Sequence, residues 1–242
     1  MKLTILLAGE NPEPLRAEFG RYADKFVRMF GGENPEFTFQ TIAVHAGEPI
    51  PPVRELEGVI VSGSAFGAYD SPPWMDPLRA FIRAAYKGNL PMLGICFGHQ
   101  IIADALGGKV IKSEKGWSIG RHIYRLNDCP ECFLAGPTQL AIAASHQDQV
   151  VVVPEKARVF LSSDFTPNAG LIYDNGVTIS MQPHPEFEID YSKAICNLRR
   201  DNPLDNESVD SAVASLDQPL DNEQVANALT GFFLRSAKAT GR

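Results

Sequence analysis

Cysteine, long apolar runs and clusters of basic residues are all scarce in this chain. Its 242 residues include 4 cysteines and carry a formal net charge of -7. Binding to nucleic-acid phosphates needs basic clusters, so we expect no nucleic-acid partner. No apolar segment approaches the length needed to cross a bilayer, so we expect no membrane partner. The apolar run at Leu3–Leu7 is too short for a signal peptide and predicts a first core strand.

A cysteine between two glycines is the most informative motif. Gly94 and Gly98 lie two residues on either side of Cys96, after an apolar run and before a helix-like segment. A strand that turns sharply into a helix strains the residue at the bend, and the neighbours two positions away must be small. The amides and dipole of the following helix favour the thiolate. The pattern predicts that Cys96 is a nucleophile rather than a buried core cysteine.

A thiol nucleophile needs a base and a group that orients the base. After a second apolar run, His184 is flanked by Pro183 and Pro185, and Glu186 follows two residues later. Residues two apart at the end of a strand point to the same side, and the prolines restrict the backbone. The segment therefore predicts a histidine base held by a carboxylate; the alternative is a turn after a strand.

The Gly-x-Cys-x-Gly-x-Gln and His-Pro-Glu motifs resemble those of the class I glutamine amidotransferases. The similarity is to free-standing members, in particular the γ-glutamyl peptidases, and to the glutaminase domains of GMP synthases. The matched stretches lie within residues 58–187. The resemblance implies a catalytic triad of Cys96, His184 and Glu186 on an open α/β sheet.

The same resemblance implies further site residues. The amides of Gly63 and Phe97 would form the oxyanion hole, although Ser64 stands where many relatives have a second glycine. Gln100 would contact the bound glutamyl group. The ends of an amino-acid head group would be held by Ser145, His146, Gln147 and Asp148. The alternative for this last segment is a polar turn between two strands.

Two neighbouring features have competing interpretations. The segment Phe66–Trp74 carries aromatic residues among turn residues, and we favour a wall of the substrate pocket over a protein interface or a cap on the core. His99 follows the second glycine at a helix start, and we interpret it as a packing residue rather than a second base, because His184 already has its carboxylate.

The fold class follows from alternating apolar and amphipathic runs. Candidate strands precede and follow candidate helices at residues 13–30 and 76–87, which predicts an open, mostly parallel sheet with helices on both faces. The resemblance to the class I glutamine amidotransferases implies that this sheet is flavodoxin-like. Shorter runs between Val110 and Met181 predict added strands and a small antiparallel β layer. We expect one domain over residues 1–242, with a core at 1–190 and a C-terminal helical extension at 191–242.

The C-terminal extension contains a near repeat. The segments Pro203–Val209 and Pro219–Val225 both read Pro-Leu-Asp-Asn-Glu and both resemble helix starts. They predict two short helices that pack on the core or on another subunit, so a homo-oligomer is compatible with the sequence.

The few cysteines also bear on location and cofactors. With a candidate catalytic thiol among them, they favour a reducing compartment, and we expect a cytoplasmic protein. Cys129 and Cys132 have the spacing of half a zinc site, but no second Cys or His pair accompanies them. We interpret them as an incidental pair and expect neither a metal nor another cofactor.

The sequence predicts an enzyme that hydrolyses a γ-glutamyl amide through a thioester. The expected partner is a small-molecule substrate, either glutamine or a γ-glutamyl compound. The chain has no Gly-x-x-x-x-Gly-Lys-Ser/Thr motif to cradle a phosphate. A first alternative is therefore a glutaminase subunit that delivers ammonia to a separate synthetase; a second is a catalytically idle binding protein on the same fold.

Overall fold

A computed structural model of the protein describes residues 1–31, 36–127 and 138–241. Cys129 and Cys132 lie outside the described residues. The strands are β1 (Lys2–Leu6), β2 (Thr38–Ile42), β3 (Gly58–Val61), β4 (Met92–Ile95), β5 (Lys109–Lys112), β6 (Ser118–Leu126), β7 (Gln139–His146), β8 (Asp148–Val152), β9 (Ala157–Ser162), β10 (Gly170–Tyr173) and β11 (Thr178–Met181). The helices are α1 (Glu13–Phe19), α2 (Tyr22–Met29), α3 (Met75–Lys87), α4 (Phe97–Ala105), α5 (Ile189–Asn197), α6 (Asn206–Ser215) and α7 (Asn222–Thr240).

The central sheet has a parallel half and an antiparallel half. Its strand order is β2-β1-β3-β4-β11-β10-β9-β6-β7, and the first five strands pair in parallel. The last four strands extend the sheet by antiparallel pairing, while β5 and β8 form a separate antiparallel pair. The predicted α/β class and the small antiparallel layer are confirmed.

Helices cover both faces of this sheet. Alternate residues of a strand point to opposite faces, and in β1 Leu3 and Ile5 enter one core while Leu6 enters the other. The first core is completed by α2, α5, α6 and α7, and the second by α3 and α4. No helix in the described part of the chain is both long enough and apolar enough to cross a membrane.

Two predicted helices differ from the structure. The helix predicted at 13–30 is split into α1 and α2, because Gly20 adopts a φ of 66° and its N–H bonds back to Arg16 O. The C-terminal near repeat does start α6 and α7, but α7 is 19 residues long rather than short. Both helices pack on the first core, α7 through the fully buried Leu229 and Phe233.

The topology gathers the motif residues at one edge. The strands β3, β4 and β11 are neighbours in the parallel half of the sheet. Gly63, Cys96 and His184 all follow the carboxyl ends of these strands. In open α/β sheets this edge is where ligands bind.

Candidate active site

Cys96 occupies the bend between β4 and α4. Its φ of 54° and ψ of -105° are uncommon for a residue with a side chain and cost about 1–3 kcal/mol. Two backbone hydrogen bonds hold the bend: Cys96 N donates to Met181 O at 2.8 Å, and Gln100 N donates to Cys96 O at 3.1 Å. The sulfur therefore lies at the N-terminus of α4, where the first amides have no acceptor within the helix.

The two flanking glycines are required by close backbone contacts. A Cβ atom on Gly94 would lie 2.5 Å from Gly98 O. A Cβ atom on Gly98 would overlap the carbonyl oxygen of Val61 in β3. Neither obstacle is a flexible side chain, so the chain could only make room by moving a strand or the helix.

This packing makes Gly98 sensitive to the smallest substitution. We expect Gly98→Ala to lower the free energy of unfolding by about 3 kcal/mol, because backbone must shift. Gly176→Ala is the matched control: Gly176 has a φ of 71° but open space around it, so the strain costs about 1 kcal/mol. Urea denaturation of both variants measures the difference in the free energy of unfolding. Equal losses of stability in the two variants would show that the close approach of Gly98 to Val61 adds no cost.

His184 and Glu186 form a buried pair on the segment that follows β11. His184 Nδ1 lies 2.7 Å from Glu186 Oε1, and both side chains are buried. The histidine is fixed further by a bond from its N–H to Ala143 O at 2.8 Å. Its ring stacks on Phe187 with a centroid distance of 3.9 Å. Within the described residues its Nε2 has no partner at full hydrogen-bonding geometry, but the Cys96 side chain is close enough to raise the pKa of the ring.

The charge of the imidazole is controlled by its surroundings. Burial alone lowers the pKa of His184, but the Glu186 carboxylate and the Cys96 side chain outweigh burial and raise the pKa above its usual value. Nearby negative charge stabilises the protonated ring. The structure thus brings the three predicted residues together as one electrostatic group.

Tyr22 is a neighbour that the sequence analysis missed. Its hydroxyl donates to Glu186 Oε1 at 2.8 Å, and a Cβ atom on Gly63 would lie 2.5 Å from the same hydroxyl. Burial raises the pKa of Tyr22 well above its usual value, and the charges of Glu186 and Cys96 add to this. The phenol therefore stays protonated and remains a donor.

The loop after β3 has a defined peptide orientation. The hydroxyl of Ser62 accepts from Ala8 N at 2.9 Å and donates to Gly63 O at 2.9 Å, so the Gly63 carbonyl faces the β1 side of the loop. A trans peptide directs the next N–H the opposite way. The N–H of Ser64 therefore points away from the contact between the Gly63 carbonyl and the Ser62 hydroxyl.

Two cavities meet at Cys96. The larger one, of about 330 Å³, and the smaller one, of about 110 Å³, share the residues Ser64, Ala65, Cys96, Ser145 and Arg199. The larger cavity also contacts Gln100 and the segment 145–148. The smaller cavity also contacts Tyr22, Gly63, His184 and Phe187.

All five predicted substrate-binding residues line the larger cavity. Gln100 Nε2 donates to Asp148 O at 3.0 Å, which orients the amide. The Ser145 hydroxyl is buried without a partner among the described residues. Burial lowers the pKa of His146 to about 3, so this ring is neutral. The polar segment is therefore part of a cavity, although contact with a ligand stays a prediction.

The positions of the aromatic loop Phe66–Trp74 and of His99 agree with the interpretations that the sequence favoured, a cavity wall and a packing residue. Phe66 and Tyr69 line the larger cavity, and Trp74 packs edge-on against Phe66 and Phe97. His99 is fully buried, its Nδ1 lies 2.8 Å from Ser180 Oγ, and burial lowers its pKa to about 3. It is a neutral packing residue. No group of three or more metal-ligating side chains was found among the described residues.

Comparison with known proteins gives one family. The family described as "Glutamine amidotransferase class-I" matches residues 35–195. Gamma-glutamyl peptidase 4 of Arabidopsis thaliana is 33% identical over 198 residues, which cover 78% of this chain and 77% of that protein. A glutamine-hydrolysing GMP synthase of Aquifex aeolicus is 29% identical over 168 residues, covering 68% of this chain but 32% of that protein. The crystal structure of a glutamine amidotransferase from Thermotoga maritima superposes with a TM-score of 0.76 at 19% identity and covers 98% of both chains.

Proposed function

The chain belongs to the class I glutamine amidotransferase family, and we propose that it hydrolyses a γ-glutamyl amide through a thioester on Cys96. The observation that carries the proposal is the convergence of a strained cysteine, a buried histidine and its carboxylate at the junction of two cavities. This is the arrangement that an activated thiol nucleophile requires.

In the first step, the Cys96 thiolate attacks the carbonyl carbon of the γ-amide and a C–S bond forms. The carbonyl oxygen becomes an oxyanion and needs donors that are already in place. Phe97 N–H at the start of α4 is one donor. The peptide orientation of the loop after β3 favours Ser64 N–H as the second, one residue beyond the predicted Gly63 amide.

In the second step, His184 gives its proton to the leaving nitrogen and the C–N bond breaks. Water then attacks the thioester, His184 takes up the water proton and the C–S bond breaks, which releases glutamate and restores the Cys96 thiolate beside a protonated His184. Glu186 keeps the imidazole oriented throughout, and Tyr22 orients Glu186 in turn. The products are glutamate with ammonia or with an amine.

A second candidate function is ammonia supply to a separate synthetase. The observation that favours it is the match to the GMP synthase, of which this chain covers 32%. A match to a glutamine-hydrolysing synthase fits a glutaminase that works together with a synthetase. An idle binding protein on the same fold is the remaining alternative.

A product assay tests the proposal. The purified protein is incubated with glutamine, γ-glutamyl dipeptides and glutathione, and glutamate, ammonia and released amine are measured. We expect glutamate together with amine from the peptides. Ammonia from glutamine alone, stimulated by a cell extract, would favour the synthetase subunit. If neither ammonia nor amine is released, hydrolysis is contradicted and the binding protein is favoured.

A further inference from the structure

The imidazole of His184 is held both at its edge and on its face. At the edge, Nδ1 lies 2.7 Å from Glu186 Oε1. One contact at one atom leaves the ring free to rock about the line that joins the two atoms. On the face, the Phe187 ring lies nearly parallel to the imidazole, with an interplanar angle of 11° and a centroid distance of 3.9 Å. This second contact fixes the plane of the imidazole and therefore the direction of its Nε2.

Phe187 is itself held by a side chain of α5. The Tyr191 ring packs edge-on against Phe187, with a centroid distance of 4.6 Å. The Tyr191 hydroxyl donates to Asn11 Oδ1 at 2.8 Å, which fixes the far end of the tyrosine. Lys25 Nζ lies 3.4 Å from the centroid of the same ring. Lys25, Tyr191, Phe187 and His184 thus form one buried column of side chains, which we call the aromatic column.

Lys25 stands at the far end of the aromatic column. Its side chain is buried, and its Nζ has no hydrogen-bond partner among the described residues. Burying an ammonium group is costly unless another group stabilises its charge. The face of the Tyr191 ring provides such a contact, because its electrons attract a cation. The lysine therefore restrains the ring against which Phe187 packs.

The ring of Phe187 also favours a positive charge on His184. A cation within about 6 Å of the centroid of an aromatic ring is attracted to its face, and the imidazole lies well inside this distance. In the proposed reaction the imidazole is protonated before the leaving nitrogen departs. Phe187 therefore stabilises the imidazolium in addition to orienting it.

We propose that Phe187, held by Tyr191, is a positioning residue for His184. Its ring fixes the plane of the imidazole, so that Nε2 faces Cys96 while Nδ1 stays on Glu186. The inference rests on the proposed function, because it gives Phe187 a part in the same reaction. Phe187 acts through the histidine and takes no part in bond making or breaking itself.

Phe187→Leu tests the proposal, because leucine keeps an apolar side chain but has no flat ring face. We expect kcat to fall about 10- to 100-fold with glutamine and with γ-glutamylglycine, since a small misplacement of a catalytic group has an effect of this size. The KM values should stay within about threefold, because the groups proposed to bind the glutamyl group are unchanged.

The pKa of His184 separates positioning from simple packing. Loss of the ring face and a looser contact with Glu186 both destabilise the imidazolium, so this pKa should fall by about 0.5–1 pH unit. NMR of ¹³C-labelled histidine measures the pKa without substrate, and the His184 signal is assigned by its absence in His184→Gln. The alkaline limb of the plot of kcat/KM against pH should shift in the same direction. Apart from Lys25 beyond Tyr191, the titratable groups around the ring are all unchanged in Phe187→Leu: Glu186, Cys96, Tyr22, His146, Tyr191 and Arg199.

Phe233→Leu is the matched control. Phe233 is fully buried in the same core, its ring packs against Phe30 and Phe232, and it lines neither cavity at Cys96. This variant should lose stability in urea as Phe187→Leu does, but it should keep the kcat and the pKa of His184 of the wild type.

Two results would overturn the proposal. Equal falls in kcat for the two leucine variants would show that the loss comes from packing in the core. An unchanged pKa of His184 in Phe187→Leu would show that the ring does not act on the histidine. If the wild type hydrolyses neither substrate, the proposed function fails, and the NMR titration still decides whether Phe187 acts on His184.

Discussion

Replacing Cys96 with alanine is expected to lower the rate of γ-glutamyl hydrolysis about 10⁴-fold or more. Without the sulfur no thioester forms, and loss of a nucleophile from a triad removes most of the catalysis that the triad provides. The remaining groups can still bind substrate. The loss should therefore appear in kcat and not in substrate binding.

The fold should survive this substitution. Alanine keeps a Cβ atom and so accepts the φ of 54° at the same cost as cysteine. The side chain borders two cavities, so its removal leaves no sealed void. Thermal melting of the variant should match the wild type, which separates a chemical loss from unfolding.

Cys196→Ala is the matched control for the thiol. Cys196 is a buried free cysteine in the first core. Its variant should keep hydrolysis within about twofold, with a stability loss of about 1 kcal/mol from the smaller side chain. Hydroxylamine provides a second readout, because it intercepts a thioester to give γ-glutamyl hydroxamate and free thiol. Hydroxamate formed by Cys96→Ala, or inactivity of Cys196→Ala, would contradict the assignment.

The local parts of the site were predictable from the sequence. The bend at Cys96 follows from glycines two residues away, and the pair His184 and Glu186 lies within three positions. The geometry of such motifs is local, because the backbone conformation at the end of a strand determines which nearby side chains lie on the same side. The parallel sheet then brings the two motifs to one edge.

The long-range parts of the site were not predictable. Tyr22 reaches Glu186 across 164 positions of sequence, and Arg199 reaches the cavity from the end of α5. Neither belongs to a motif, since their positions follow from how helices pack on the sheet. The orientation of the Gly63 carbonyl also depends on a contact with Ala8 after another strand.

The error in the predicted helix at 13–30 is different, because its signal is present in the sequence. Gly20 lies between the two helices and adopts a positive φ. The apolar periodicity continues across it, so the pattern alone favoured one helix. Here a single backbone conformation outweighs amphipathic periodicity.

Glu186→Gln is expected to lower kcat about 100- to 1000-fold, within the range of general acid–base catalysis. The carboxylate orients His184 through a 2.7 Å contact with Nδ1 and balances its positive charge in a buried site. Glutamine has almost the same shape but no charge. The substitution therefore tests charge and orientation with little change in packing.

The same variant should shift the pH profile in a defined direction. In the wild type, Glu186 and Cys96 raise the pKa of His184 against the lowering effect of burial. Without the carboxylate, burial is opposed by less negative charge and the pKa of His184 falls. The leaving nitrogen takes its proton from the imidazolium, so activity falls as the pH rises through the pKa of His184. In Glu186→Gln this fall should begin at a lower pH than in the wild type. The alkaline limb of the plot of kcat/KM against pH should therefore shift to lower pH.

Glu188→Gln is the control that separates this effect from a general loss of negative charge. Glu188 lies two residues further on, and its exposed carboxylate pairs with Arg28 at 3.0 Å. Exposed pairs of this kind contribute little, so kcat and the alkaline limb should stay as in the wild type. Should Glu186→Gln and Glu188→Gln give the same kcat and the same pH profile, the carboxylate of Glu186 does not act on His184 and the triad is reduced to a cysteine and a histidine.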